Sequence, residues 1–191
     1  MPRILVFSGS IRSGSFNGKL AAVAATEFAR LDVDVTHISL GDYPMPIYDG
    51  DLESASGPPD NAVKLKRLFC AHQGIFIAGP EYNAGITPLL KNTIDWVSRV
   101  REDGEPPLAA YRNRVFALGS ASPGGYGGMR SQIATRQSLE LGCGAHLIPE
   151  TCAVSAAHQA FDEAGNLKDE RSRASLLACC KSLVEKAAAY R

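Results

Sequence analysis

Short apolar runs that stop at glycine turns alternate with segments of helical period along this chain. No other feature restricts its fold as strongly. Arg3 to Phe7 (RILVF), Gly74 to Gly79 (GIFIAG) and Arg114 to Gly119 (RVFALG) are apolar almost throughout, not on alternate residues. Runs of that length and character read as strands buried on both faces. Asp34 to Leu40 and Ala145 to Ile148 read as two more strands. Between them, Phe16, Leu20, Val23, Ala24, Phe28 and Leu31 fall at helical spacing behind Ser15, a good N-cap. Further helices are expected over 60–71 with Asp60 as cap, over 87–100 with Thr87 as cap and Pro88 in first place, over 128–141, and over 167–190. Strands alternating with helices, several of the strands apolar on both sides, predict a parallel sheet covered by helices on both faces.

At 191 residues the chain suffices for one well-buried core. It shows neither repeat nor linker, so a single domain over 1–191 is expected. Residues 41–59 hold four prolines and three glycines, which predicts a long loop. Lys plus Arg equals Asp plus Glu at 20 each, so bulk charge provides no reason to expect nucleic acid or a membrane as partner. No stretch approaches the roughly 18 apolar residues of a membrane span, and the N-terminus lacks the apolar length of a signal peptide. The five cysteines, Cys70, Cys143, Cys152, Cys179 and Cys180, are odd in number and contain no C-x-x-C. Reduced thiols in a cytoplasmic protein are the expectation.

In a sheet of this kind ligands sit beyond the carboxyl ends of the strands. That directs attention to the loops Ser8–Asn17, Pro80–Gly85 and Ser120–Gly128. The first runs Ser-Gly-Ser-Ile-Arg-Ser-Gly-Ser-Phe-Asn from a strand into a helix. Free N–H groups at a helix start carry partial positive charge. Ser10, Ser15 and Asn17 add neutral donors, and Arg12 adds a planar fork suited to phosphate oxygens. No Lys-Ser/Thr pair follows Gly14, so this is not a nucleoside-triphosphate loop, and no G-x-G-x-x-G is present for a dinucleotide. Alone, the segment fits a small-residue turn as well as it fits a phosphate site. The second loop, Pro80-Glu81-Tyr82-Asn83, offers backbone polar groups, an aromatic ring and an amide at the sheet edge, which suits either a flat heterocycle or a plain turn.

Together these two segments resemble the NADPH-dependent FMN reductase family, which includes quinone, chromate and azo-dye reductases. The likeness rests on G-S-x-R-x-x-S-x-N over Gly9 to Asn17 and on P-E-Y-N followed by L-K-N-x-I-D-W over Pro80 to Trp96, and it extends from about Arg3 to Leu183. One departure is Thr87, where many members carry proline. The resemblance implies a flavodoxin-like three-layer α/β sandwich, its five-stranded parallel sheet in the order 2-1-3-4-5. It implies that Ser10, Arg12, Ser15, Phe16 and Asn17 hold an FMN phosphate. It places Pro80, Glu81, Tyr82 and Asn83 along the flavin ring, with Ser120, Pro123, Gly124 and Gly125 at its other edge. NADPH or NADH would be the co-substrate, a quinone, free flavin, azo compound or oxidised metal the acceptor, and a homodimer or homotetramer the assembly.

Flavin chemistry of this type demands no separate acid or base, and none is assigned. The four histidines are scattered without metal-ligand spacing, and no G-x-S-x-G elbow exists for a hydrolase. Trp96 reads as helix core, with a neighbour's flavin pocket as the other reading. The alternative function is a flavodoxin-type electron carrier with no substrate of its own. Carriers of that kind tend to be acidic and lack the loop arginine.

Overall fold

The computed structural model describes residues 1–102 and 104–190, so Asp103 and Arg191 of the expected domain lie outside the described residues. Its strands are β1 (Arg3–Ser8), β2 (Asp34–Ser39), β3 (Gly74–Ala78), β4 (Glu81–Tyr82), β5 (Gly85–Ile86), β6 (Val115–Ala121) and β7 (His146–Val154). Its helices are α1 (Phe16–Arg30), α2 (Gly50–Ser56), α3 (Asp60–Ala71), α4 (Pro88–Arg99), α5 (Ala109–Arg112), α6 (Met129–Gln137), α7 (Ala157–Ala160) and α8 (Glu170–Ala189).

Five strands pair in the order β2-β1-β3-β6-β7, all parallel. Numbered within the sheet, that is the expected 2-1-3-4-5, the flavodoxin-like arrangement. Alternate residues of each central strand feed two separate cores. Ile4, Val6, Phe76, Ala78, Val115 and Ala117 face α1 and α8, meeting Leu20, Phe28, Leu176 and Leu183. Leu5, Phe7, Ile75, Ile77, Phe116 and Leu118 face α3 and α4, meeting Leu65, Phe69, Leu90 and Ile94. Both faces of these strands are therefore dry, which is why their sequences show no polar alternation. Each large side chain so buried contributes about 1.5–3 kcal/mol. Phe28 and Phe76 add an edge-to-face pair at 6.0 Å.

The helix starts follow their caps. Ser15 accepts from Gly18 N–H, and Thr87 caps α4 with Pro88 in its first turn. At α3 the expectation needs correcting, because Pro59 occupies the cap position and makes no side-chain cap bond. Asp60 lies inside the first turn, where its charge still favours the helix dipole. The segment 41–59 also contains more order than its prolines suggest. Asp49 caps the short helix α2 by accepting from Asp51 and Leu52 N–H, and Gly57 ends it at φ +72°.

The last strand outruns its expected end at Ile148 and continues to Val154. Its register against β6 shifts between Phe116 and Leu118, opposite the stretch that contains Pro149. Proline cannot donate to the ladder, so the strand bulges there and then resumes pairing at an edge of the sheet. Helix α6 is likewise shorter than expected and passes into a π-type turn over Ser138–Gly142. The last helix begins at Glu170, capped by Asp169, not at Leu167.

Candidate functional site

Parallel strands bring the carboxyl ends of β1, β3 and β6 side by side, and the loops leaving them meet there. Gly9 N–H donates to Ala78 O at 2.9 Å, and Thr87 Oγ1 donates to Gly9 O at 2.9 Å. Asn17 Nδ2 donates to Ala121 O at 2.8 Å, while Ala121 N–H donates to Asn17 Oδ1 at 2.9 Å. Thr87, the departure from the family pattern, thus adds a buried tie between the first and second loops. Asn17 ties the first to the third.

A cleft of about 140 Å³ opens between them. Ser10, Arg12, Ser15, Phe16 and Asn17 line it from the first loop, Pro80, Glu81 and Tyr82 from the second, and Ala121, Ser122 and Pro123 from the third. Ser15 Oγ accepts from Gly18 N–H at 3.3 Å, and Arg12 N–H donates to Ser10 Oγ at 3.3 Å. The N–H groups of Phe16 and Asn17, in the first turn of α1, have no acceptor among the described residues. Arg12 is exposed, and its guanidinium lies 5.7 Å over the Phe16 ring and bonds, among the described residues, only to the neighbouring Ser13 O. Two unclaimed donors at the start of a 15-residue helix, serine hydroxyls and an exposed guanidinium together form an anion-binding corner.

The second loop is a small antiparallel ribbon, with β4 and β5 joined through Asn83 and Ala84. Both turn residues have positive φ, +50° and +63°, as a two-residue hairpin of the right twist requires. Asparagine tolerates that conformation. Alanine is strained in it by about 1–2 kcal/mol. The ribbon holds Tyr82 out from the surface at 54% exposure, and Asn83, at the ribbon tip, does not line the cleft. Glu81 is turned away from solvent into a paired contact with Arg130 on α6.

In the third loop Pro123 lines the cleft, while Gly124 and Gly125 do not. Ser120 is fully buried beneath it, donating to Gly127 O at 2.7 Å and accepting from Gln132 Nε2 at 2.6 Å. Its side chain supports the loop and has no open face for a ligand. Gly127 is required by contact as well as by conformation: at φ +60°, a Cβ would lie 2.9 Å from the Val154 and Ser155 backbone. Residues missed by sequence reasoning lie on α6. Arg130, Ser131 and Gln132 bond to Glu81, Pro80 O and Ser120 respectively. The available signal was a helix whose inward face is polar, with Ser131, Gln132 and Thr135 all buried.

A roomier groove of about 740 Å³ lies between α1 and α8, lined in part by Val23, Glu27, Arg30 and Arg173. It lies away from the strand ends, Glu27 pairs with Arg30, and Arg173 donates to Leu167 and Lys168 carbonyls. Chemistry, not volume, therefore selects the three-loop cleft. Trp96 is wholly buried and donates to Pro46 O at 2.8 Å; with Asn92, which bonds to the same carbonyl, it pins the 43–48 segment to α4. The five cysteines are free thiols, and burial pushes Cys143 and Cys152 up to about 11 and Cys179 and Cys180 further still.

Comparison with known proteins shows the family. A family model described as NADPH-dependent FMN reductase matches residues 2–159. An NAD(P)H-dependent FMN reductase of Pseudomonas aeruginosa is 33% identical over 172 residues, covering 90% of this chain and 87% of that one. A probable NADPH:quinone oxidoreductase of rice, Oryza sativa, is 36% identical over 181 residues, 90% of this chain and 84% of its own. Among solved structures, the flavoenzyme NAD(P)H:(acceptor) oxidoreductase FerB of Paracoccus denitrificans superposes with a TM-score of 0.79 at 24% identity, covering 100% of this chain and 99% of that one. An azoreductase of Bacillus anthracis superposes with a TM-score of 0.61 at 17% identity, covering 98% and 99%, so these two structures speak to the fold.

Proposed function

The chain belongs to the NADPH-dependent FMN reductase family, and from that premise we propose that the three-loop cleft holds FMN by its phosphate and lays the ring against the Pro80–Asn83 ribbon. The protein is an NAD(P)H-dependent flavin oxidoreductase. One observation carries the site: the unclaimed N–H groups of Phe16 and Asn17 share a cleft with Ser10, Ser15 and Arg12. A phosphate monoester needs that donor set, and no carboxylate of the first loop competes for it. FMN bound there would supply hydride acceptance from NADPH or NADH and two-electron transfer to an acceptor such as a quinone.

The chain's own residues bind and orient. Arg12 and the α1 N-terminus neutralise the phosphate. Pro80 to Tyr82 and Ser122–Pro123 border the cleft, which is smaller than the roughly 300–1,000 Å³ of an enclosed ligand site. A ring held there would rest on the rim formed by Pro80 to Tyr82 and Ser122–Pro123, which would leave one face open to NAD(P)H and the acceptor in turn. Exposed apolar groups next to that rim, Tyr82, Tyr126, Met129 and Ile133, suit a second copy of the chain, so a homodimer or homotetramer is proposed. A single-domain, cytoplasmic protein is proposed, and the free thiols support that location. No helix among the described residues is long and apolar enough to cross a membrane.

The test is reconstitution. Purified chain mixed with FMN should quench its fluorescence at one equivalent, and anaerobic NADPH should then bleach the bound flavin within seconds, followed by reoxidation with a quinone. A flavin that binds but ignores both nucleotides would instead mark an electron carrier.

A further inference from the structure

Three consecutive residues at the start of α6 reach both loops that border the proposed ring position. Ser131, fully buried, donates to Pro80 O at 2.7 Å. Gln132 Nε2 donates to Ser120 Oγ at 2.6 Å and to Cys152 O at 2.9 Å, and Ser120 in turn holds Gly127 O. Arg130 completes the set from outside. Its Nε donates to Glu81 Oε1 at 2.8 Å, its backbone N–H donates to Glu81 Oε2 at 3.2 Å, and its guanidinium lies 5.2 Å over the Tyr126 ring.

The caps explain why this is more than packing. The N-cap of α6 is Gly128, in the left-handed conformation, which brings no side-chain acceptor. The carboxylate of Glu81, 49 residues away in sequence from Arg130, takes that part. The helix start and the β4–β5 ribbon are therefore stabilised together, and one cannot move without losing the other's bonds. We infer that Arg130, Ser131 and Gln132 are positioning residues: by tying the ribbon to the 120–128 loop they set the gap in which the ring sits, and so the relative affinity for its oxidised and reduced forms. This rests on the proposed FMN site and extends it to residues that touch no part of the cleft's phosphate corner.

The experiment uses the full chain and three variants, Ser131→Ala, Gln132→Leu and Arg130→Gln, with Ser131→Thr as the conservative control. Two readouts are taken: amide hydrogen exchange over 81–86 and 122–127 in FMN-free protein, and the midpoint potential of FMN bound to each variant. The expected result is exchange faster by about tenfold in both segments for the three variants, with Ser131→Thr close to wild type. An accompanying tenfold change in relative affinity reads as a shift of about 30 mV for a two-electron couple. Wild-type exchange and potential in folded Ser131→Ala and Gln132→Leu overturn the inference. If either fails to fold, Arg130→Gln, altered on an exposed side chain, decides it on the same criteria. Failure of the wild-type chain to take up FMN is a separate result, which removes the flavin site itself and the inference with it.

Discussion

The side chain of Asn17 pairs with the backbone of Ala121 in both directions, donating to its carbonyl at 2.8 Å and accepting from its N–H at 2.9 Å. The amide acts as a short extra rung at the end of β6, and it places the first turn of α1 against the third loop. Asn17→Ala leaves two buried backbone groups unpaired. At about 1–3 kcal/mol for each, urea titration should show a loss of at least about 2 kcal/mol, together with weaker FMN binding. A melt within 0.5 kcal/mol of wild type, on the order of an ordinary surface change, would show that the pair is dispensable.

Arg12 presents the opposite case. Its guanidinium is exposed and, among the described residues, bonds only to the adjacent Ser13 O, so the fold does not depend on it. Arg12→Ala should leave the urea midpoint of FMN-free protein unchanged. It should weaken FMN binding by about 1.5–3 kcal/mol, the range for hydrogen bonds to charged groups. Fluorescence titration measures this directly, and an unaltered FMN affinity would remove Arg12 from the phosphate site.

Stability should fall in mildly acidic solution because of buried histidine. His72 Nδ1 donates to Leu68 O at 2.6 Å, and Nε2 accepts from the Thr36 hydroxyl at 2.8 Å. Burial holds its pKa below the ordinary 6.5, with Arg3 and Arg114 also opposing the cation, while the Leu68 carbonyl and Asp34 favour it. Partial desolvation also lowers His37, although its side chain is exposed on β2. A pKa depressed by folding means that the unfolded chain binds the proton first. The contribution is therefore complete above about 6.5 and is lost as pH falls through the lower folded value. Urea midpoints at pH 7 and pH 5 should differ, and His72→Gln should reduce the difference to the share of His37. An unchanged pH slope in that variant would assign the effect elsewhere.

Two glycines of the third loop should respond differently to alanine. Gly127 has φ +60° and backbone atoms of Ala153, Val154 and Ser155 within 2.9 Å of a would-be Cβ. Gly125 has nothing within 4 Å and no positive φ. Strain in the left-handed region alone is about 1–3 kcal/mol, so Gly127→Ala should cost at least about 2 kcal/mol in thermal or urea unfolding. Gly125→Ala should change stability by less than about 0.5 kcal/mol. Equal effects would contradict the placement of the loop over the end of β7.

Thr135 carries a buried hydroxyl with no hydrogen-bond partner among the described residues. An unsatisfied buried hydroxyl is a cost, and valine has nearly the same shape without it. Thr135→Val should be neutral or stabilising by up to about 1 kcal/mol. A clear loss in calorimetry would reveal a bond that the hydroxyl makes.

The amino-acid sequence on its own determined the layered α/β fold. The apolar runs of β1, β3 and β6 and the stripe of Leu20, Ala24 and Phe28 are local patterns, and each states which faces will be dry. The glycine-serine turn at Ser8 and the Pro80 segment were legible for the same reason: their chemistry lies within a few consecutive residues. Tertiary structure alone decided which donors remain free for a ligand. Asn17 read as a phosphate donor, yet its oxygen and one amide hydrogen are engaged by a residue 104 positions away. Glu81 read as a ring contact and caps a helix 49 positions on. Ser120 read as a site residue and is sealed beneath its own loop. A polar side chain serves whichever partner the fold brings within about 3 Å, and periodicity carries no information about partners so distant in the chain. The extension of β7 beyond Pro149 has the same origin, since β6 holds the strand on both sides of a residue that cannot donate to it.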